Sequence, residues 1–256
     1  MCFKFLLKKI IPCPDIKKYK RFLFISAHAC DIEKGAGATA SKFSKEGKDV
    51  KFAICTDSIG LSSNDNFDIA KEIHEKESLM SAAILGVKEI EFLKLECLSK
   101  YSYEDLLNGL IKLILNFKPE VVFIDDVTTY NEINPDDRLV TKATEEAILS
   151  VSNKIYMSKY ADKEPIKIKA IAYYNTIKPN YYVGITGYTE LKMRAILAHN
   201  SLLPINQTAK LEYIRSYKSL MKLTAYRDGF KSGKWQAEGF RVVSILAIHN
   251  MPQINY

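Results

Sequence analysis

Residues 21–39 read RFLFISAHACDIEKGAGAT. The first seven, Arg21 to Ala27, are a short aromatic and aliphatic run of the kind that fills a strand buried on both faces. A polar turn follows, His28-Ala29-Cys30-Asp31-Ile32-Glu33, and then a run of small residues, Gly35-Ala36-Gly37-Ala38-Thr39-Ala40. Buried strand, polar turn and small-residue helix predict the first β-α unit of a parallel sheet. In such a sheet ligands gather beyond the carboxyl ends of the strands, so the turn after Ala27 is where chemistry is expected.

Working outward, comparable runs recur at Val50 to Thr56, Glu89 to Leu95, Glu120 to Asp126 and Ile168 to Tyr174, with helical stretches between them. Ile69, Ile73, Met80 and Ile84 fall on one helical face before Gly86, and Leu106, Leu110, Leu113 and Phe117 on another before Pro119. The alternation predicts an α/β fold, a Rossmann-like three-layer sandwich with a mostly parallel sheet. Past Tyr174 the chain turns into a turn-rich segment with one strand, helices over 190–199 and 207–228, and a late strand over 241–248. The expected layout is a basic N-terminal extension over residues 1–20 and one domain over 21–256, whose C-terminal cap begins near residue 175.

The 256 residues, 47% hydrophobic and 26% charged, suffice for one core without disulfide or metal staples. The formal charge of +7 is unevenly placed: residues 1–21 carry +6, residues 205–241 carry +5, and residues 22–204 carry −4. A mildly acidic centre suits a cation, and the basic cap suits an anionic substrate group. Trp235, among Lys231, Lys234 and Arg241, is read as an anchor of the cap, and no nucleic-acid partner is expected. Five cysteines without a C-x-x-C pair point to a reducing cytoplasm. No apolar run is long enough to span a bilayer; membrane-surface contact by the basic N-terminus is a minor alternative.

Three readings compete for the polar rim. His28 and Asp31, with Asp57 after the second strand and Asp125, Asp126 and the segment Tyr130 to Arg138 after the fourth, could hold a divalent ion for metal-assisted hydrolysis. The same carboxylates could simply cap helices. Gly35-Ala36-Gly37-Ala38-Thr39-Ala40 also fits G-x-G-x-x-A, with Asp57 where a ribose-binding acid would stand, though the first glycine lies about seven residues past the strand. In that last case the glycines would cradle a pyrophosphate; otherwise they serve close packing.

The motifs resemble those of the PIG-L/LmbE family of zinc-dependent de-N-acetylases. Ala27-His28-Ala29-Cys30-Asp31 resembles the family's Ala-His-Pro-Asp-Asp, and Asn134-Pro135-Asp136-Asp137 its His-Pro-Asp-His. Thr56-Asp57, Glu77 with Leu85-Gly86-Val87, Lys192 to Ser201 and Ala237-Glu238-Gly239-Phe240-Arg241 supply further matches in order. The resemblance implies a Rossmann-like fold and removal of an acetyl group from an N-acetylglucosamine-type sugar or conjugate. It implies metal ligands His28, Asp31 and Asp137, with Zn2+ or another divalent ion, or none. It places Cys30 where the family has its general base, Asn134 where it has the oxyanion-stabilising histidine, and His74 where an arginine often contacts substrate, with Asp57 beside it.

These replacements define the expectations. A neutral thiol is a poor proton shuttle and an amide carries no imidazolium charge, so activity is expected to be altered or weak. Asp136, Asp125 or Asp126 could serve as a displaced base, and Cys30 could act as a nucleophile with His199 or His249. The alternative outcome is a catalytically inactive family member that binds a sugar-like ligand or a protein partner. Oligomeric state is not readable.

Overall fold

Strands β1 (Arg21–Ser26), β2 (Asp49–Thr56), β3 (Glu89–Leu95), β4 (Val121–Asp125) and β5 (Ala170–Tyr174) pair in parallel, and β6 (Tyr181–Gly184) and β7 (Ala237–Ser244) extend the sheet antiparallel. The computed structural model describes residues 13–58, 67–128, 133–158 and 164–245, and among these the sheet order is β3-β2-β1-β4-β5-β7-β6. The direction of strand progression reverses between β1 and β4, the switch point at which an α/β sheet opens a crevice.

Alternate residues of β1 feed two cores. Phe22 and Phe24 face helices α1 (Asp31–Lys45) and α2 (Phe67–Leu85), while Leu23 and Ile25 face α3 (Tyr103–Phe117) and α4 (Pro135–Ser152). Phe24 stacks on Phe123 at 4.2 Å and Phe123 meets Phe240 edge-on at 5.2 Å, so the aromatic residues tie β1, β4 and β7 together. The expected face of α3 is buried throughout: Leu106, Leu110, Leu113 and Phe117. Short α5 (Lys154–Met157), then α6 (Thr189–Ala198) and α7 (Gln207–Ser232), complete the chain in order, and α6 packs against α1 and α2.

Three expectations need correction. Helix α2 does not bury Ile69 and Met80, which are 50% and 53% exposed; its inward face is Ala70, His74, Glu77, Ser78, Ser81, Ala82 and Leu85. The reason is a polar partner: Ser81 Oγ donates to Glu33 at 2.5 Å, and Glu77 accepts the amide and hydroxyl of Ser201. Strand β7 starts at Ala237 rather than 241, because Ala237 to Phe240 pair with β6 before the strand reaches β5. Trp235 does not anchor the cap from within; it is 71% exposed and lies edge-on to Tyr226. Of the N-terminal stretch, residues 13–20 are docked, with Ile16 fully buried and Tyr181 donating to Asp15; residues 1–12 lie outside the described residues.

Glu238 of β7 reaches across the domain to α1. Its carboxylate accepts the amides of Ala38 at 3.3 Å and Thr39 at 2.8 Å and pairs with Lys192 at 2.7 Å. Those amides are mid-helix, where carbonyls four residues earlier are the usual partners. No helix among the described residues is long and apolar enough to cross a membrane.

Candidate metal centre

At the end of β1 the chain makes a sharp turn. Cys30, the residue preceding α1, is left-handed at φ 76°, a conformation that costs a non-glycine residue roughly 1–2 kcal/mol. The turn folds Asp31 back so that its carboxylate accepts the His28 amide at 3.2 Å. Neighbours brace it: the Ala29 amide donates to Ser58 Oγ at 2.9 Å, and Ala27's carbonyl accepts both the amide and hydroxyl of Thr56. On the other side of the switch point, Asn134 caps α4 and Pro135 opens it, which places Asp136 and Asp137 in the first turn. Two helix N-termini thus present carboxylates to one spot, where the positive ends of the helix dipoles favour them.

His28 lies between them. Its Nδ1 is 3.4 Å from Asp31 Oδ2 and 3.5 Å from Asp137 Oδ1, while Nε2 is 3.2 Å from Asp136 Oδ2. One atom each of His28, Asp31 and Asp137 lies within 4.8 Å of the others. Bonds of about 2.0–2.2 Å in a tetrahedral site would set ligand atoms roughly 3.3–3.6 Å apart, so the two separations from Nδ1 fit a common ion. The donor set, one imidazole and two carboxylates, suits zinc and harder divalent ions alike. Burial disfavours charge on the His28 ring, but Asp136, Asp137 and Asp31 outweigh it and push its pKa up to about 12. The three carboxylates therefore favour a positive charge at this point.

Asp136 is held behind the histidine. Fully buried, it accepts the amides of Leu98 and Ser99 at 2.7 Å each. Burial alone would raise its pKa; His28 and the two amides bring it down to about 2. An acid so firmly ionised and so fully engaged is unsuited to the expected role of displaced base, and the geometry is that of a group orienting a ligand histidine. The other carboxylates considered for that role are also engaged. Asp126 receives a bidentate pair from Arg241, both contacts at 2.9 Å, and Asp125 accepts from Asn175 at 2.8 Å.

Cys30 faces the opposite way. It is buried with Met193, Ile196 and Met221 from α6 and α7, and burial pushes its thiol well above the ordinary value. Nucleophilic use with His199 meets a second obstacle: His199 Nε2 is engaged with Glu33 at 3.1 Å. His249 lies outside the described residues, as do Tyr130, Asn131 and Glu132. Asn134 gives its carbonyl oxygen to the Asp136 amide at 3.0 Å, so it is a helix cap whatever else its amide group contacts.

His74 and Asp57 stand together, His74 Nδ1 lying 3.3 Å from the Asp57 carbonyl oxygen, in a cavity next to Ala29. Asp57 also accepts the Cys97 amide at 3.1 Å and pairs with Lys71 at 3.5 Å. Sequence reasoning missed the 97–99 turn that supports both Asp57 and Asp136. Leu98 and Ser99 are consecutive left-handed residues, φ 61° and 57°, which converges their amides on Asp136. Nothing in their side chains announces this.

The glycines have a packing role. A Cβ on Gly35 would come within 2.2 Å of the Tyr174 ring, and Gly35 sits inside α1 rather than in the strand-to-helix turn. The dinucleotide reading loses its anchor, because the helix N-terminus that a pyrophosphate would need carries Asp31 and Glu33.

The sequence profile of the GlcNAc-PI de-N-acetylase family, PIG-L, matches residues 23–148. The diacetylchitobiose deacetylase of Thermococcus kodakarensis is 29% identical over 246 residues, covering 94% of this chain and 88% of that protein. The structure of the N,N'-diacetylchitobiose deacetylase from Pyrococcus horikoshii, complexed with its inhibitor MPG, superposes with a TM-score of 0.85 at 28% identity, covering 98% of this chain and 95% of that one. The fold alone is shared with GalB, a 4-carboxy-2-hydroxymuconate hydratase from Pseudomonas putida, at a TM-score of 0.72 and 18% identity over 88% of this chain and 96% of that one.

Proposed function

The chain belongs to the PIG-L family, and from that membership we propose that it is a metal-dependent hydrolase that removes an acetyl group from an N-acetylglucosamine-type sugar or conjugate. The observation that carries this reading is the convergence of His28 Nδ1, Asp31 and Asp137 on one point with Asp136 behind the ring. A divalent ion held there, zinc by preference, would supply Lewis acidity toward an amide carbonyl and toward water. The chain's own contribution is positional. Asp136 fixes the orientation of His28, the left-handed turn at Cys30 aims Asp31, and the Asn134 amide group would donate to a developing oxyanion. His74 and Asp57 form the neighbouring wall against which the sugar is held. The reading treats residues 21–256 as one domain acting in the cytoplasm, the C-terminal part serving as its cap.

A second reading, an inactive member that retains sugar binding, is favoured by one specific observation. The place of the general base is taken by a thiol buried among methionines, and loss of such a base commonly costs about 10²–10⁴-fold in rate. Metal analysis separates the readings from any reading without an ion. Protein purified without chelator is expected to carry one equivalent of divalent metal, and His28→Ala to carry none. Metal-free wild-type protein that also fails to take up zinc on dialysis would defeat the hydrolase assignment.

A further inference from the structure

Helix α7 carries an apolar ridge on the side turned away from the rest of the domain. Its inward face is Met221, Ala225, Asp228 and Gly229, all buried. At 3.6 residues per turn the positions opposite that face are those around 223 and 230, where a helix packed on a domain ordinarily shows polar residues. Leu223 and Phe230 stand there instead, 68% and 88% exposed. Leu220 and Tyr226, also exposed, widen the ridge to either side, and Trp235, edge-on to Tyr226 at 5.6 Å, continues it past the helix end. Isolated exposed apolar side chains are ordinary, whereas a run of neighbouring ones that includes Tyr226, Phe230 and Trp235 marks a contact surface.

Cations flank the ridge. By the same periodicity Arg215 and Lys222 lie along one side of it and Arg227 and Lys231 along the other, and all four are exposed. Burial, with the positive charges of Lys17 and Lys42, lowers the pKa of Lys234, so basic groups of the docked N-terminal stretch and of α1 add to the field at this end. The acids between residues 205 and 241 are Glu212, Asp228 and Glu238. Asp228 is buried and matched by Arg227, and Glu238 is buried and matched by Lys192. That leaves Glu212, near the start of the helix, as the exposed acid of this stretch.

Charge and shape select the occupant. A second copy of the chain would meet this one ridge on ridge, which sets Lys222 and Lys231 among their own counterparts. A stable interface also buries about 800 Å² on each partner through roughly 20–30 residues a side, more than this narrow ridge presents. An anionic bilayer meets neither obstacle. It needs no matching groove, its headgroup boundary accepts leucine, phenylalanine and tryptophan side chains, and its phosphates attract the flanking lysines and arginines. We propose that the outer face of α7, together with Trp235, docks the protein on the surface of an anionic phospholipid bilayer, with the helix axis along the membrane plane. Such contact requires no spanning helix, is distinct from contact through the N-terminus, and does not depend on the hydrolase reading.

Trp235 is the single tryptophan of the chain, so its fluorescence reports on the ridge directly. The full chain is mixed with vesicles of phosphatidylcholine alone and of phosphatidylcholine with phosphatidylglycerol. The expected result is co-sedimentation and a blue shift with the anionic vesicles, little of either with the neutral ones, and weakened binding at about 1 M salt, where charges are screened beyond about 3 Å. Leu223→Ser combined with Phe230→Ser, both at exposed positions, should weaken vesicle binding by about tenfold or more. Lys222→Glu combined with Lys231→Glu should weaken it by about tenfold. Circular dichroism of each variant should match wild type. Binding that either pair leaves at the wild-type level would overturn the proposal, as would equal binding to the neutral vesicles. No binding to the anionic vesicles would overturn it too; a dimer in analytical ultracentrifugation that Phe230→Ser dissolves would then assign the ridge to a second copy. Deacetylation is not read in this test, so neither result bears on the metal centre.

Discussion

Asp31 and Cys30 are adjacent at the mouth of α1, yet their surroundings have nothing in common. On the Asp31 side, three carboxylates surround one imidazole and favour a positive charge there. On the Cys30 side, methionines and isoleucine from the cap surround a thiol that burial keeps protonated. The contrast teaches that ligand binding and proton transfer can be uncoupled within a single turn. His28, Asp31 and Asp137 stand close enough to share a cation, while the group that the family resemblance led one to expect as the proton carrier is buried against the cap.

The sharpest way to break that contrast is to restore the base. Cys30→Asp together with Asn134→His should raise deacetylation of N,N'-diacetylchitobiose by about 10²–10⁴-fold over wild type, followed as acetate release. The carboxylate would enter an apolar cluster, so the variant should also lose about 3–5 kcal/mol of stability unless the cap parts to admit water. A stable variant with no gain in rate would show that the cap side never faces substrate. Next in size is Asp136→Asn, which keeps the shape but weakens the grip on His28. Divalent-ion affinity should fall about 10–100-fold in a competitive chelator titration; an unchanged affinity would remove Asp136 from the cation side of the comparison.

The smallest expected effect concerns the frame of the rim. Burial works against a charged Asp126, but Arg241 and Thr128 hold its pKa at about 2, below the ordinary 3.8. A depressed carboxyl stabilises the fold above its unfolded value, and the contribution is lost as pH falls through the folded one. About 2 kcal/mol should therefore disappear between roughly pH 4 and pH 2. Urea denaturation at about pH 6 and about pH 3 should show a shallower acid decline for Asp126→Asn than for wild type. Equal declines would mean that the Arg241 pair contributes nothing net.

How much of this was legible in the sequence differs between the sheet and the rim. Apolar runs marked the five parallel strands to within two residues at either end, because a strand buried on both faces has little freedom in composition. The meeting of His28, Asp31 and Asp137 at one place was legible because the turn after β1 and the first turn of α4 are local motifs that come together at a switch point. The inward face of α2 was not. Periodicity picks out apolar faces, whereas this face is chosen by Glu33 and Ser201, 48 and 124 positions away from their partners Ser81 and Glu77. Burial of Cys30 was equally hidden, since the residues that cover it come from helices 163 to 191 positions later. The Leu98 and Ser99 amides carry no side-chain signal at all.

The Glu238 carboxylate on the Ala38 and Thr39 amides has a consequence for the order in which the molecule can be completed. Synthesis makes β1, the turn and α1 within the first 45 residues, but the group that grips α1 at mid-length is made nearly 200 residues later. The turn bearing His28 and Asp31 is thus an early product with a late fastening. A nascent chain stopped before β7 would hold every proposed cation ligand and lack the tether that seats the helix behind Asp31, so the candidate centre should mature only once nearly the whole chain has left the ribosome.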